Sequence, residues 1–250
     1  MIHNIYKQRG ETPLECITRF RQANKEYKDD KWTYMGRLDP MADGVLLAAT
    51  GEDIKRKEEF LNLDKDYDFV TMFGFATDTY DVLGRVLRVA KVDDLNEAEI
   101  RKVVAVYEGK REQKYPAYSS RTVRGKPLHV LARAGELDEE DIPVKNIEIY
   151  KINFHKLDEL SPKELLGRLL MDISKVRGDF RQHESLVLWK GMLTSSPNKI
   201  FLGKFSASVS SGTYIRGIVN DLGNTLGCGA CSLSITRTRV GDYKIGDSQK

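Results

Sequence analysis

The most informative segment of the chain spans residues 34–47 and reads YMGRLDPMADGVLL. In it Asp39 stands directly before Pro40, and a residue in that position is biased toward an extended or turn backbone. Gly36 and Gly44 allow tight turns on either side, and an apolar, strand-like run follows. A carboxylate on a rigid turn beside a core strand is well placed to act as a nucleophile or a base. The same residues also fit an ordinary Asp-Pro turn with a capping side chain.

Four helices are indicated by residues that typically begin or end helices. Thr12 and Ser161 are each followed by a proline and a capping-box glutamate, and Asn96 opens another helix. A fourth helix begins near Tyr214, and Gly109 is the expected stop of the helix that Asn96 opens. Apolar residues recur along each helix, as expected of a face that packs on a core: Leu14, Ile17, Phe20; Ile100, Val103, Val104, Tyr107; Leu165, Leu166, Leu169, Leu170, Ile173; Ile215, Ile218, Leu222, Leu226.

Alternation of apolar and polar residues predicts the strands. Residues 69–73 and 86–89 flank a polar turn. Residues 144–154 form a long strand or a bent pair, and residues 200–209 form a pair of short strands. Because helices and strands are interspersed, the class is α/β or α+β, and the hairpin-like spacing of the first two strands favours an antiparallel or mixed sheet. We therefore expect an α+β fold, with a mixed, largely antiparallel central sheet flanked by helices, in one domain over residues 1–250.

The composition fits a soluble globular protein, since 40% of the residues are hydrophobic and 31% are charged. No apolar run approaches the roughly 20 residues that cross a bilayer, and the first residues lack the features of a signal peptide. Because the sequence has only three cysteines, we expect the protein to reside in the reducing cytoplasm. The 40 basic and 37 acidic residues leave a net charge of +3, so any phosphate-binding surface must come from local clustering.

No motif for a metal or an organic cofactor is recognisable. The sequence has neither a P-loop nor the glycine fingerprint of a dinucleotide site. Cys228 and Cys231 have CxxC spacing, but no second pair completes a zinc site, and the four histidines are scattered. We therefore expect free cysteines and neither metal nor cofactor.

Two further segments carry single candidate side chains. Tyr67 could stack on a nucleobase, or it could be a sheet tyrosine with a satisfied hydroxyl group. Residues 210–216, SSGTYIR, join a strand to a helix. There Arg216 could pair with a carboxylate, or it could be a surface arginine beside an ordinary helix cap. The threonine and aspartate run at residues 77–84 is most simply a turn between strands.

Two basic segments are candidates for contact with phosphate groups. One is a polar, aromatic loop at residues 115–128, and the other is the strand-like end of the fold at residues 235–241. A solvated basic surface would have the same composition. Their candidate residues are Arg121, Arg124, Lys126, Arg237 and Arg239.

Together, in this order and spacing, these segments resemble the TruB family of tRNA pseudouridine synthases. The resemblance covers nearly the whole chain, through YKQRGETP at residues 6–13, GRLDP at 36–40, SGTYIR at 211–216 and RTRVG at 237–241. It implies the pseudouridine synthase catalytic fold, no metal or cofactor, and isomerisation of the T-loop uridine of tRNA, at tRNA position 55, to pseudouridine. The implied partner is the T-loop and T-stem of tRNA, bound by what we expect to be a monomer.

The resemblance also implies roles for individual residues. Asp39 matches the catalytic aspartate, and Tyr67 matches the tyrosine that stacks on the target base. Tyr214 and Arg216 match the active-site tyrosine and the arginine that pairs with the catalytic carboxylate. Ile235 stands where the family has an apolar residue lining the pocket.

The chain departs from the family pattern at several positions. Tyr34 replaces a histidine that helps to open the RNA loop in many members, and Arg37 replaces a common threonine. We expect both to contact RNA. Thr236-Arg237 replaces paired arginines. We also expect a short form of the family without the usual C-terminal RNA-binding appendage. Two alternatives stay open, namely a synthase that acts on another RNA and a non-catalytic RNA-binding or RNA-folding protein on the same scaffold.

Overall fold

Helices and long strands alternate along the chain, and the computed structural model describes residues 1–92, 95–194 and 199–250. The helices are α1 (Pro13–Ala23), α2 (Lys57–Leu61), α3 (Glu97–Ala105), α4 (Leu128–Ala134), α5 (Pro162–Ile173), α6 (Gln182–Thr194) and α7 (Ile215–Thr225). The strands are β1 (Ile2–Lys7), β2 (Trp32–Met35), β3 (Ala42–Thr50), β4 (Lys65–Phe73), β5 (Phe75–Thr77), β6 (Val86–Val89), β7 (Gly109–Lys114), β8 (Thr122–Val123), β9 (Lys126–Pro127), β10 (Val144–Leu160), β11 (Ile200–Val209), β12 (Ala230–Val240) and β13 (Tyr243–Lys244).

A large central sheet has the strand order β1-β3-β12-β4-β11-β10-β7, with β2 also paired to β3 and β13 to β12. The strand pairs in this sheet are antiparallel except β12 with β3. The α+β class with a mixed, largely antiparallel sheet is therefore confirmed. Alternate residues of β4, β11 and β12 point to opposite faces. One face packs on α3 and α7, and the other packs on α5 and α6.

All four predicted helices are present and begin where their caps predict. The hydroxyl groups of Thr12 and Ser161 accept hydrogen bonds from the backbone three residues on, and Asn96 does the same with its amide oxygen. Leu14 was expected on the inner face of α1 but is 66% exposed. A spacing of six residues places Leu14 and Phe20 about 120° apart around a helix, so they cannot share one face.

The predicted stop of α3 is also corrected, because α3 ends at Ala105 and Gly109 begins β7. Between them Tyr107 buries its ring in the core, and its hydroxyl group lies 3.1 Å from Thr225 Oγ1. Gly109 has a φ of +102°, which turns the chain into the new strand.

The predicted strands exist, but two pairings differ from expectation. Residues 86–89 form β6, whose partner is the short β5 rather than β4. Residues 200–209 form one continuous strand, because β11 is hydrogen-bonded along its length between β10 and β4. Residues 144–160 likewise form one long strand with two register shifts. Gly203 fits in the middle of β11 because the rings of Phe73 and Phe205 fill the space that a Cβ atom would need.

Between β10 and β11 the structure contains a helical hairpin that the sequence did not predict. Leu160 and Ile200 are direct partners, and α5 and α6, which lie between them in the chain, form a helical hairpin outside the sheet. The buried side chain of Trp189 donates a 2.9 Å hydrogen bond to the carbonyl of Val82, and Ser185 Oγ donates one of 2.6 Å to that of Leu83. The hairpin is thus bound to the loop between β5 and β6.

Candidate active site

A cleft of about 810 Å³ is lined by all five residues that the resemblance places in the active site, namely Asp39, Tyr67, Tyr214, Arg216 and Ile235. They come from the turn between β2 and β3, from β4, from the start of α7 and from β12. The fold therefore brings together side chains that are far apart in the sequence.

Asp39 lies on a turn that is fixed from both sides. The carbonyl of Asp39 accepts a 3.0 Å hydrogen bond from the backbone of Ala42, and that of Pro40 accepts one of 2.8 Å from Gly10. Gly44 has a φ of +106°, and a Cβ atom there would collide with the backbone carbonyl of Arg237. The Asp39 side chain remains 37% exposed and faces the cleft.

Arg216 is the buried partner of this aspartate. Its side chain is only 3% exposed, and its Nε donates a 2.7 Å hydrogen bond to Asp39 Oδ2. The other two guanidinium nitrogens donate to the backbone carbonyls of Thr79, at 2.7 Å, and Tyr118, at 3.1 Å. Burial alone would lower the pKa of Arg216, but the charges of Asp39 and Asp81 outweigh it and raise that pKa. A permanent cation is thus aimed at the carboxylate.

Asp81 is a second carboxylate near Arg216, and unlike Asp39 it is buried. Sequence reasoning missed it within the predicted turn at residues 77–84. Its Oδ1 accepts hydrogen bonds from Thr79 Oγ1 at 2.5 Å and from the backbone of Leu83 at 3.0 Å. Burial raises the pKa of Asp81 to about 6, although the neighbouring Arg216 opposes the shift. No periodicity marks such a residue, so only the fold could have revealed it.

Aromatic and apolar side chains form another part of the cleft. Tyr67 is 7% exposed and Ile235 is 8% exposed, so both present edges to the cleft while packing in the core. Burial, reinforced by the charge of Asp39, raises the pKa of Tyr214. The backbone of Tyr214 is held by Gln113, which accepts from its N–H at 2.8 Å and donates to its carbonyl at 3.0 Å.

Four of the residues predicted to bind RNA line the cleft, namely Tyr34, Arg37, Arg121 and the buried Arg237. The ring of Tyr34 has two cations near it, since Arg37 Cζ and Lys57 Nζ each lie 5.9 Å from its centroid. Arg121 Cζ lies 5.4 Å from the ring centroid of Tyr115. Arg37 and Arg121 are exposed, so both remain available to a ligand.

The other three predicted RNA-binding residues are outside the cleft lining and form ion pairs within the protein. On the exposed loop of β8 and β9, Arg124 pairs with Asp141, and Lys126 pairs with Glu136 at 3.2 Å. Arg239 forms a two-point ion pair with Asp66, at 2.6 and 2.8 Å.

Arg237 lines the cleft, but its side chain is buried rather than exposed at the surface. It is 1% exposed and donates hydrogen bonds to the backbone carbonyls of Gly36, Arg37 and Val45. Its cation therefore holds the turn that carries Asp39, and its contact with a phosphate group stays a prediction.

Several cations that sequence reasoning missed also line the cleft: Lys65, Arg133, Lys145 and Arg181. Burial, together with the charge of Arg237, lowers the pKa of Lys65 to about 8. In the part of the chain that the structure describes, no group of three or more His, Cys, Asp or Glu side chains could hold a metal ion. All three cysteines are buried and free. Among the described helices, none has the length and apolar character to span a membrane.

Comparison with solved structures supports the assignment of the fold. The chain is similar to a protein in a Cbf5-Nop10-Gar1 complex, with a TM-score of 0.58, 19% identity, and coverage of 97% of this chain and 49% of that one. It is equally similar to a chain of an H/ACA RNP bound to a substrate RNA containing 2'-deoxyuridine, with a TM-score of 0.55 and 18% identity over 97% of this chain and 48% of that one.

Sequence comparison identifies the family. The model of the TruB family pseudouridylate synthase N-terminal domain matches residues 24–175. The fold is thus that of the pseudouridine synthase class. The tRNA pseudouridine synthase B of Bordetella avium is 31% identical over 90% of this chain and 75% of its own length. The protein of that name from Thermotoga petrophila is 30% identical over 99% of this chain. The chain belongs to the TruB family, and it spans 66% of the length of the latter relative.

Proposed function

We propose that this protein isomerises uridine to pseudouridine in the T-loop of tRNA, at tRNA position 55, with Asp39 as its catalytic residue. The observation that carries the proposal is the 2.7 Å pair of Asp39 with the buried Arg216 in a cleft lined by Tyr67 and Ile235. Relatives named tRNA pseudouridine synthase B favour tRNA over other RNAs.

The cleft has a suitable size for a nucleotide taken out of its stack. Its volume of about 810 Å³ lies within the usual range of ligand sites, roughly 300–1,000 Å³. A uridine within a folded RNA loop cannot be reached in place, so the nucleotide must flip into the cleft. Stacking on Tyr67 would then stabilise the flipped base by about 1–3 kcal/mol.

The chemistry detaches uracil from the sugar, rotates it and rejoins it through carbon. Asp39 either attacks C1′ of the ribose or removes a sugar proton, and both routes need a carboxylate at the sugar in a site with little water. Arg216 fixes the direction of that carboxylate, and Ile235 shields the detached base from water. The protein needs no metal ion or organic cofactor for these roles. We expect it to act as a monomer in the cytoplasm.

Release of tritium from a tRNA transcript that carries 5-tritiated uridine tests the activity. We expect the wild-type protein to release tritium, and Asp39→Asn to abolish release while the tRNA dissociation constant changes little. Absence of release by the wild-type protein, together with intact RNA binding, would identify a non-catalytic RNA-binding protein instead.

Mapping of pseudouridine in total RNA, with and without the protein, tests the substrate. We expect a signal at the T-loop uridine of tRNA that depends on Asp39. A signal confined to another RNA would support the alternative synthase and refute the assignment to tRNA.

A further inference from the structure

The helical hairpin of α5 and α6 reaches the cleft with the turn that joins its two helices. Phe180 and Arg181, at the end of that turn, are among the residues that line the cleft. The proposed function assigns no role to this turn.

Arg181 is held firmly in an uncommon backbone conformation. Its φ is +61°, which a non-glycine residue adopts only where its surroundings enforce it. Its side chain is 14% exposed and binds both oxygens of Asp78, at 2.9 and 3.2 Å. The same guanidinium group donates a 3.2 Å hydrogen bond to the hydroxyl of Tyr118 and lies 4.5 Å from the centroid of its ring.

The two residues that Arg181 contacts belong to the segments that hold Arg216. Asp78 is adjacent to Thr79, whose carbonyl accepts from Arg216 Nη1, and the carbonyl of Tyr118 accepts from Arg216 Nη2. We propose that Arg181 is a positioning residue that clamps these two segments together and thereby keeps Arg216 aimed at Asp39. The inference rests on the proposed function of the Asp39 site.

The physical reason is that the buried Arg216 guanidinium group tolerates little displacement of the atoms that accept its hydrogen bonds. Each of its three nitrogens has one acceptor, and two of the three acceptors are carbonyls on different loops. If either loop shifts, the guanidinium group follows it or loses a hydrogen bond, and Nε moves relative to Asp39. A displacement of about 1 Å in a catalytic group can cost about 100-fold in rate.

Other contacts keep the hairpin in place when Arg181 is replaced. Trp189 and Ser185 still bind the carbonyls of Val82 and Leu83 from the buried side of α6. Glycine suits the positive φ at position 181, so Arg181→Gly removes the clamp without adding backbone strain. Arg181→Lys keeps the charge but loses the planar fork that binds both oxygens of Asp78.

Steady-state kinetics of tritium release tests the clamp. We expect Arg181→Gly to lower kcat by about tenfold to 100-fold with little change in KM, and Arg181→Lys to restore only part of the loss. The matched control is Arg85→Gln, which removes an exposed 2.6 Å ion pair with Glu184. That pair also joins the helical hairpin to the loop between β5 and β6. A loss confined to KM, or an equal loss in the control, would overturn the proposal.

A second measurement does not depend on activity. In protein labelled with ¹⁵N-arginine, the Nε–Hε resonance of Arg216 can be assigned by its loss in Arg216→Lys. We expect its hydrogen exchange to be slow in the wild-type protein and in Arg85→Gln, and at least tenfold faster in Arg181→Gly. Unchanged exchange would refute the clamp even if the enzyme is active, and absence of tritium release by the wild-type protein would refute only the proposed function. If Arg181→Gly does not fold, Asp78→Asn removes the same ion pair while keeping an oxygen that can accept from the backbone of Arg85.

Discussion

At the scale of single residues, the site depends on a buried charged side chain, that of Arg216, and on the groups that bind it. Arg216 is 3% exposed and interacts with the charges of two carboxylates that line the cleft, the partly exposed Asp39 and the buried Asp81. Taking charges out of water is costly, so such a group persists only when every hydrogen-bonding atom has a partner. Arg216 meets that condition through Asp39, Thr79 and Tyr118.

The buried carboxyl group of Asp81 gives a prediction for stability against pH. Burial raises its pKa from 3.8 to about 6, so between these values the folded protein binds a proton that the unfolded chain does not. Stability therefore falls as pH rises through this window. Asp81→Asn removes the titration, so its stability relative to the wild-type protein should rise by about 2 kcal/mol between about pH 4 and about pH 7.

Urea unfolding at a series of pH values measures this difference. Asp68→Asn, on the exposed face of β4, is the matched control for the exchange of a carboxyl group for an amide. A difference for Asp81→Asn that stays level across this pH range would contradict the raised pKa.

Tyr67 gives a prediction about turnover. Because its ring is the part that would stack on the flipped base, Tyr67→Leu should lower kcat of tritium release at least tenfold while the tRNA dissociation constant changes less than threefold. Tyr67→Phe keeps the ring and should retain most of the turnover. A selective loss of tRNA binding in Tyr67→Leu would count against stacking as its role.

At the scale of elements, the sequence predicted those features that depend on residues close together in the chain, such as the starts of helices. The caps at Thr12, Asn96 and Ser161 marked helix starts because a cap involves residues only three positions apart. By contrast, α6 has no side-chain cap that the sequence reveals. No alternation marks β3, which is buried along its whole length and was indicated only by its apolar run. The partner of β6 was missed for a local reason, because Gly74, with a φ of +88°, separates β4 from β5 and β5 is only three residues long.

In the candidate site, likewise, the sequence revealed residues that lie in local motifs but not residues whose role comes from contacts distant in the chain. Asp39, Tyr67, Tyr214, Arg216 and Ile235 were found through motifs, and the fold places all five on one cleft. Asp81 and Arg181 carry no motif, since their importance arises from contacts with residues distant in the chain. The exposure of Arg237 could not be judged from a basic segment, because strand alternation does not reveal which strands surround β12.

The cap of α5 gives a prediction at this scale. Ser161 Oγ accepts a hydrogen bond from the backbone of Glu164, whose carboxylate in turn accepts from the backbone of Ser161. Ser161→Ala should therefore lower the free energy of unfolding by about 1 kcal/mol, which corresponds to roughly 2–4 °C in Tm. Thermal unfolding measures the change, with Lys163→Ala in the same exposed turn as the control. Equal Tm values for the two variants would show that the cap contributes nothing.

At the scale of the whole molecule, the small net charge conceals an uneven distribution. The chain carries a charge of only +3, and many of its basic residues are paired, as Arg124, Lys126 and Arg239 are. Around the cleft, in contrast, Arg37 and Arg121 are exposed and form no ion pair with any described residue. A local field of this kind can attract RNA without a strongly basic protein.

The last prediction follows from this distribution and uses the salt dependence of RNA affinity. Each phosphate group neutralised by a cation contributes about 0.7–0.9 to the slope of log K against log salt concentration. In an Asp39→Asn background, chosen because we expect it to prevent turnover, Arg37→Gln and Arg121→Gln should each weaken tRNA binding and reduce that slope by about one such step. Lys190→Gln, on the exposed side of α6 and outside the cleft, is the matched control and should leave the slope unchanged. Equal slopes for all three variants would mean that RNA approaches another surface, and the cleft would then lack the electrostatic path that a flipped nucleotide needs.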